Sequence, residues 1–396
     1  MKASLVWPAF EDFSGLDKTW IPHGVTQLAT EANARGHIVD VLDGRVLGRD
    51  GMKAVLKTTN SRVIGISMIS ALVGFGKEII RYLRENRTDM KIAIGGIHPT
   101  IAPDDFKFRK EFDWLIKGEG EITFPDILDG KVKIGIVDGI RPNLSELKPV
   151  NRTLIKIEEE PLPGLEKPFG TIIIGRGCKY HCTFCSPAER LLFGDHVRMR
   201  PIVDICYEIK NFKSVMVHDD CFTADPEYVD DFCNAIPPIK WWCQGRADNV
   251  VNNMQMVKKM RDHGLVGMIL GHESGDDRVL RSIKKGVTVQ QNVDAANILH
   301  ALGVVVWSNI MVGLPYEPPS AVVNTIMMLR QIKPEITSVA VFTPHPGSKL
   351  YDECKDIMIR DKDDWTYFNR GDFRPKIEGP DYPFLAWAAG EMNRRE

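Results

Sequence analysis

Short β-branched runs alternate with amphipathic stretches along most of this chain, in two series separated by a proline-rich break. In the first series, residues 4–7, 38–42, 63–67, 91–94 and 114–116 predict strands, and residues 24–35 and 76–85 carry helical spacing, with Gly36 as a stop signal. Strands alternating with helices predict a parallel, doubly wound α/β sheet, Rossmann-like, whose ligands sit beyond the carboxyl ends of its strands. Residues 141–168, with Pro142, Pro149, Pro161, Pro163 and Pro168, break the periodicity and read as a linker. The second series places strands at 171–174, 214–217, 240–243, 266–270, 304–308 and 338–342, with helices at 204–213, 227–235, 252–263, 288–302 and 321–332 between them. Six strand-helix units suit a partial parallel barrel with functional groups on the loops after its strands.

The expected organisation is therefore a Rossmann-like domain over residues 1–140, a linker over 141–168, a partial (β/α)6 barrel over 169–345 and a C-terminal extension over 346–396. That extension, polar but carrying Trp365, Tyr367, Phe373 and Trp387, is placed to cap the barrel mouth. A length of 396 residues exceeds what one hydrophobic core usually supports, which agrees with two domains. A formal charge of -2 from 51 basic and 53 acidic residues gives no electrostatic footprint for nucleic acid or an anionic membrane. No apolar run of about 18 residues and no secretory leader is visible, so a cytoplasmic protein is expected.

All eight cysteines lie at or after residue 178, too few and too late for a disulfide framework. Cys206, Cys221, Cys233, Cys243 and Cys354 are scattered and read mostly as small buried hydrophobes. The other three are gathered in Gly175-Arg-Gly-Cys178-Lys-Tyr-His-Cys182-Thr-Phe-Cys185, directly after the first barrel strand. Three thiolates from one short loop can hold three irons of a 4Fe-4S cluster and leave the fourth iron open. Zinc is the rival and needs a fourth ligand, from His181 or a distant cysteine.

The spacing Cys-x3-Cys-x2-Cys, with Phe184 before the third cysteine, resembles the signature of the radical S-adenosylmethionine (SAM) superfamily. The resemblance implies that SAM chelates the open iron through its amino and carboxylate groups, with Phe184 among the residues that bind SAM, and that one electron from the cluster cleaves it to a 5′-deoxyadenosyl radical. Further motifs resemble the family in chain order. His218-Asp-Asp-Cys-Phe-Thr223 resembles a variant found in cobalamin-binding members, and implies that Asp219 or Asp220 meets the SAM ammonium group; a helix cap is the plainer reading. Gln244 and Arg246 follow the third barrel strand, where a guanidinium fork could pair the methionyl carboxylate. Gly271-His-Glu-Ser-Gly275 resembles the segment whose Glu, here Glu273, reaches the ribose hydroxyls, with His272 as a packing residue where an apolar one is commoner. Lys285-Gly-Val-Thr288 reads as the stop of one helix and the cap of the next. Ser308 and Asn309, with Gly313-Leu-Pro-Tyr-Glu317 after them, resemble the region whose polar groups hold the nucleoside, and Thr343-Pro-His-Pro-Gly347 resembles a rigid turn at the barrel mouth.

In the first domain Gly95-Gly-Ile-His-Pro-Thr100 and Gly118-Glu-Gly-Glu121 follow the fourth and fifth strands, where adjacent glycines permit close backbone approach to a large ligand. Joined to the barrel, they resemble the cobalamin-binding domain of cobalamin-dependent radical SAM enzymes, and the resemblance implies that Ser67, Gly95, Gly96, His98, Pro99, Glu119 and Gly120 line a cobalamin site, His98 beside the nucleotide tail. One departure is plain. Domains that ligate cobalt through a protein imidazole carry Asp-x-His-x-x-Gly after the first strand, and Pro8-Ala-Phe-Glu-Asp-Phe-Ser-Gly15 has no His.

The resemblance implies a methyltransferase placing a methyl group on an unactivated carbon of a small-molecule or peptide substrate, with flavodoxin or ferredoxin as electron donor. A non-methylating ring closure, rearrangement or oxidation is the alternative, and a non-catalytic corrinoid or iron-sulfur module the third. Methylthiolation fits less well, because its enzymes carry a second cysteine triad upstream and residues 1–177 hold no cysteine.

Overall fold

The computed structural model describes residues 1–8, 20–155, 159–185, 196–359, 364–368 and 371–394. The loop without histidine after the first strand lies almost wholly outside the described residues. The chain divides into two compact units, and the division is not sequential: Met1–Glu160, Pro187–Glu208 and Asp363–Thr366 form the first, and Pro161–Ser186, Ile209–Lys362 and Tyr367–Glu396 form the second.

Unit 1 is built on six parallel strands, β1 (Lys2–Trp7), β2 (Ile38–Asp43), β3 (Val63–Ser67), β4 (Lys91–Gly95), β5 (Trp114–Lys117) and β6 (Gly135–Asp138), in the order β2-β1-β3-β4-β5-β6. Successive residues of a strand point to opposite faces, and here both faces are apolar. Val6, Ile64, Ile66, Ile92, Ile94 and Leu115 pack against Ile79, Ile80 and Leu83 of the helix Val73–Asn86. Ala3, Leu5, Val39, Val63, Ala93 and Ile116 pack against Val25, Ala29 and Ala32 of the helix His23–Ala34. The order reverses between β1 and β3, and in such a sheet the ligand crevice opens at that switch point, at the carboxyl ends.

Residues expected as a linker are part of both units. Leu144 and Leu147 are buried, Lys148 N donates to Glu31 at 2.7 Å and Asn151 N to Thr30 at 3.0 Å, while residues from Pro161 onward belong to unit 2.

Unit 2 carries six parallel strands in chain order, β7 (Phe169–Ile172), β8 (Ser214–Val217), β9 (Lys240–Gly245), β10 (Leu265–Glu273), β11 (Val305–Val312) and β12 (Ile336–Val341), curled into a half-barrel. Inside, Met216, Trp242, Ile269 and Trp307 meet Leu162, Leu165 and Phe169, and Trp242 Nε1 donates to Pro163 O at 3.1 Å. This apolar floor leaves the carboxyl ends for polar groups. The C-terminal extension is more than a cap: the helix Tyr382–Asn393 packs on the helix Pro319–Ile332 and on β12, and Leu350 and Cys354 of the helix Lys349–Cys354 join the apolar cluster that holds Phe184.

Candidate functional site

The cysteine loop leaves the end of β7, and one carboxylate shapes its start. Asp219, 5% exposed at the end of β8, accepts from Ile174 N and Gly175 N, one bond per carboxylate oxygen, each at 2.7 Å. A side chain committed in this way holds the loop; Asp220 beside it is exposed. Further along, Thr183 N donates to Ile283 O at 2.9 Å, Leu350 N to Thr183 O at 3.0 Å and Lys179 Nζ to Ala224 O at 2.7 Å. The loop is thus pinned from four elements before any ligand arrives.

Of the three cysteines, Cys182 is buried and Cys178 and Cys185 are half-buried. Among the described residues no three His, Cys, Asp or Glu side chains gather as a single metal ion requires. Three cysteines on one short loop, one per iron, are the donor type that a 4Fe-4S cluster takes. Two buried cations stand by Cys182. Arg246 Nη1 reaches its sulfur at 3.8 Å, and the Lys285 charge acts on it as well. Such surroundings suit thiolates, so the donor set fits the cluster.

Arg246 is held on several sides. Nε and Nη2 fork onto Asp248 at 3.0 and 3.1 Å, Nη2 also donates to Lys285 O at 2.6 Å, and the guanidinium stacks over Tyr180 at 3.7 Å. Burial pulls its pKa down, but the hydrogen bond and charge of Asp248 outweigh this and the net direction is up. The fork expected for a methionyl carboxylate is therefore occupied by Asp248. Thr223 and Asn249 complete the surround: Thr223 Oγ1 accepts from Arg246 N at 3.3 Å and Asn249 Nδ2 at 3.1 Å, and Tyr180 OH donates to Asn249 Oδ1 at 2.7 Å. Cys221 lies in this polar patch, where burial pushes its thiol up to about 12.

At the end of β10 the register slips between Gly271 and Glu273, and Glu273 takes φ of 61°, rare for a residue with a side chain. The bulge turns Glu273 onto Lys285 Nζ at 2.9 Å, and a Cβ at Gly271 would lie 2.6 Å from Glu273 Oε1 and 2.8 Å from Lys285 Nζ, so a side chain there would push the pair aside. Lys285 therefore does more than stop a helix. Thr288 caps the helix Val289–Ala301 in a capping box with Gln291.

Ser308 and Asn309 part company. Trp307 belongs to the interior cluster, so alternation turns Ser308 outward, and it is 0% exposed with its Oγ 2.8 Å from Nδ1 of His272. Ser308, expected beside the nucleoside, is bonded to His272 on the outer face of the strand. Asn309, half-buried and in register with Gly271, remains on the inner face, as does Gln244, half-buried in register with Ile269. His272 is the packing residue expected, neutral because burial drives its pKa down to about 3.

In unit 1 the rim formed by the carboxyl ends of β3, β4 and β5 is glycine-lined. Gly96 has φ of 94°, and a Cβ there would sit 2.7 Å from Ser67 Oγ and 2.9 Å from Met68 N, so the loops after β3 and β4 meet backbone to backbone. Gly95, Gly96, Gly118 and Gly120 are half-buried along this rim, the flat lining that a large planar ligand would need. The rim fits cobalamin in that respect. His98 does not share it: fully buried, it holds Ser70 Oγ at 2.9 Å and Asp105 Oδ2 at 3.0 Å, with Trp365 edge-on at 5.1 Å. Pro99 is buried too, and Glu119 is tied to Arg198 at 2.7 and 2.8 Å. His98 and Glu119 thus tie down the segments that follow β4 and β5.

A parallel half-barrel with three thiols after its first strand, joined in one chain to a sheet of flavodoxin-like order, defines a class of cofactor-dependent enzyme. Comparison with known families agrees: the radical SAM superfamily profile matches residues 172–329 and the B12 binding domain profile matches residues 16–128. The chain belongs to the radical SAM enzymes that carry a cobalamin-binding domain. Among curated proteins it is similar to one named an uncharacterised methyltransferase from Pyrococcus horikoshii, 25% identical over 384 residues, covering 89% of this chain and 83% of that one. It is also similar to the anaerobic magnesium-protoporphyrin IX monomethyl ester cyclase of Rubrivivax gelatinosus, 24% identical over 379 residues, with 85% and 67% covered. Among solved structures, the radical SAM methyltransferase TsrM from Kitasatospora setae, with cobalamin and a [4Fe-4S] cluster bound, shares the fold with TM-score 0.68 at 16% identity, over 90% of this chain and 78% of that one. Among the described residues no helix is long and apolar enough to cross a membrane.

Proposed function

We propose that this protein is a methyltransferase that places a methyl group on an unactivated carbon of a small-molecule or peptide substrate. When bound, the 4Fe-4S cluster supplies the electron that cleaves SAM to a 5′-deoxyadenosyl radical able to remove a hydrogen atom, and cobalamin supplies the methyl group. The chain's own residues hold and shield these partners. Cys178, Cys182 and Cys185 are the cluster ligands in this reading, Asp219 fixes their loop, and Phe184 packs behind it. Asp220, Gln244, Glu273 and Asn309, grouped at the carboxyl ends of β8 to β11, are the SAM-facing polar set, with Glu273 held by Lys285. The glycine rim of unit 1, with Ser67, Gly95, Gly96 and Gly120, takes the corrinoid. Electrons come from a carrier of the flavodoxin or ferredoxin kind, in the cytoplasm.

The observation that carries the reading is the pinned three-thiol loop in a chain that also bears the B12 binding domain. Likeness to a methyltransferase-named relative and to TsrM supports methylation. Likeness to the cyclase, at nearly equal identity, keeps a second reading in which the same radical closes or oxidises a ring. Anaerobically reconstituted protein given reductant and SAM is expected to release 5′-deoxyadenosine well above a Cys182→Ala control; equal amounts from both overturn the proposal. Mass spectrometry of the product separates the readings: one added methyl group supports the first, an unchanged carbon count the second.

A further inference from the structure

The arrangement around Cys182 spends three charged groups on something other than a substrate. Arg246 is 5% exposed, and four contacts set its orientation: the Asp248 fork at 3.0 and 3.1 Å, the Lys285 carbonyl at 2.6 Å, the Tyr180 ring at 3.7 Å and the Cys182 sulfur at 3.8 Å. A guanidinium has five N–H donors in a rigid plane, and fixing two edges and one face determines where the remaining edge points. Here that edge points at sulfur. Resting on the radical SAM reading above, we infer that Arg246 is a positioning residue for the Cys182 thiolate that sets the reduction potential of the cluster, with Asp248 and Tyr180 as its supports, rather than a contact of the SAM carboxylate.

Hydrogen bonds and positive charge at a cluster sulfur stabilise the reduced form, which carries one more negative charge, and so raise the potential. The opposite charge on Asp248 works against this from one step further away, and Asp248→Asn keeps an oxygen acceptor for Arg246 Nε while removing that charge, so the two substitutions should move the potential in opposite directions. A purely structural role would not produce that sign reversal. Loss of one charge-assisted hydrogen bond in a dry site is expected to change the one-electron reduction equilibrium by roughly tenfold, which converts to about 59 mV.

The test is a dithionite titration of the reconstituted full-length protein, without SAM, following the reduced cluster by electron paramagnetic resonance, with SAM affinity measured separately by equilibrium binding. Arg246→Leu should lower the midpoint potential and Asp248→Asn should raise it, with SAM affinity within about threefold of wild type in both. If Arg246→Leu cannot retain iron, Asp248→Asn alone still tests the predicted sign. Midpoints that stay put while SAM binding weakens tenfold or more would return Arg246 to the substrate carboxylate and overturn the inference. A wild type that shows no reducible cluster overturns the functional reading itself, and this inference with it; a normal wild type with unmoved variants overturns this inference alone.

Discussion

Asp219→Asn is the substitution that most sharply separates loop-holding from ligand-binding. Each carboxylate oxygen accepts one backbone N–H at 2.7 Å, from Ile174 and Gly175, in a site only 5% exposed. Asparagine keeps one acceptor and turns an amide N–H toward the other donor, so one charge-assisted bond is lost, the second is weakened to a neutral one, and a buried N–H is left without a partner. Bonds to charged groups contribute about 1.5–3 kcal/mol, and an orphaned buried donor costs about 1–3 kcal/mol, overlapping accounts of one event that together put the loss near 2–4 kcal/mol. Urea unfolding of the apo protein followed by circular dichroism reads that loss, and iron analysis after reconstitution reads its consequence, because the loop that presents Cys178 starts from these two amides. Asp220→Asn, at an exposed position, should leave both unchanged. The reasoning fails if Asp219→Asn unfolds at the wild-type urea concentration, holds wild-type iron, and loses only SAM affinity.

The remaining predictions bear on other parts of the molecule. Burial raises the Glu317 carboxyl to about 7, above its ordinary 4.5, even though Gly313 N at 2.7 Å and Leu314 N at 3.3 Å donate to it. The folded form thus favours the protonated acid, its stabilisation is present below about pH 4.5 and lost as pH rises to about 7, and Glu317→Gln should abolish that decline in urea midpoints. His272, held down to about 3 from 6.5, acts oppositely: its contribution is full above pH 6.5 and lost on acidification, and Ser308→Ala, which removes its 2.8 Å partner, should cost about 1 kcal/mol with SAM affinity unchanged, whereas Asn309→Ala should weaken SAM. His98→Ala should destabilise unit 1 by about 2–4 kcal/mol in urea unfolding while folded protein binds cobalamin as wild type does; selective loss of cobalamin would put the imidazole on the ligand.

Much of this was legible from the sequence where one local pattern decides the outcome. Residues 63–67 and 214–217 are strands as read, since short β-branched runs buried on both faces admit little else. Strand β6, Gly135–Asp138, escaped because it is an edge whose side chains alternate between half-buried and exposed. The helix Gly44–Thr58 escaped because Gly44, Gly48 and Gly51 argue against it, and Gly48 indeed breaks it with φ of 64°. In the candidate site, the cysteine spacing and the segment around Glu273 stand out in the sequence, but the direction of a side chain does not. Ser308 and Asn309 are neighbours on opposite faces of β11, and which one turns inward is settled by Trp307. Arg246 meets the Cys182 sulfur and the Lys285 carbonyl only through folding across distant segments, and nothing local to Asp248 announces its fork onto Arg246. His98 follows two glycines at a strand end, a place that suggests ligand contact, yet the short helix Ile97–Ile101 turns its ring inward to Ser70 and Asp105.

The central claim is that three thiolates leave one iron open for SAM. Electron-nuclear double resonance on the reduced, reconstituted protein, with SAM isotope-labelled in its amino and carboxylate groups, measures that directly. Hyperfine coupling from both labels to the cluster, abolished when SAM is omitted, is the predicted result. A cluster unaffected by labelled SAM, or stoichiometric zinc in its place, would contradict the account.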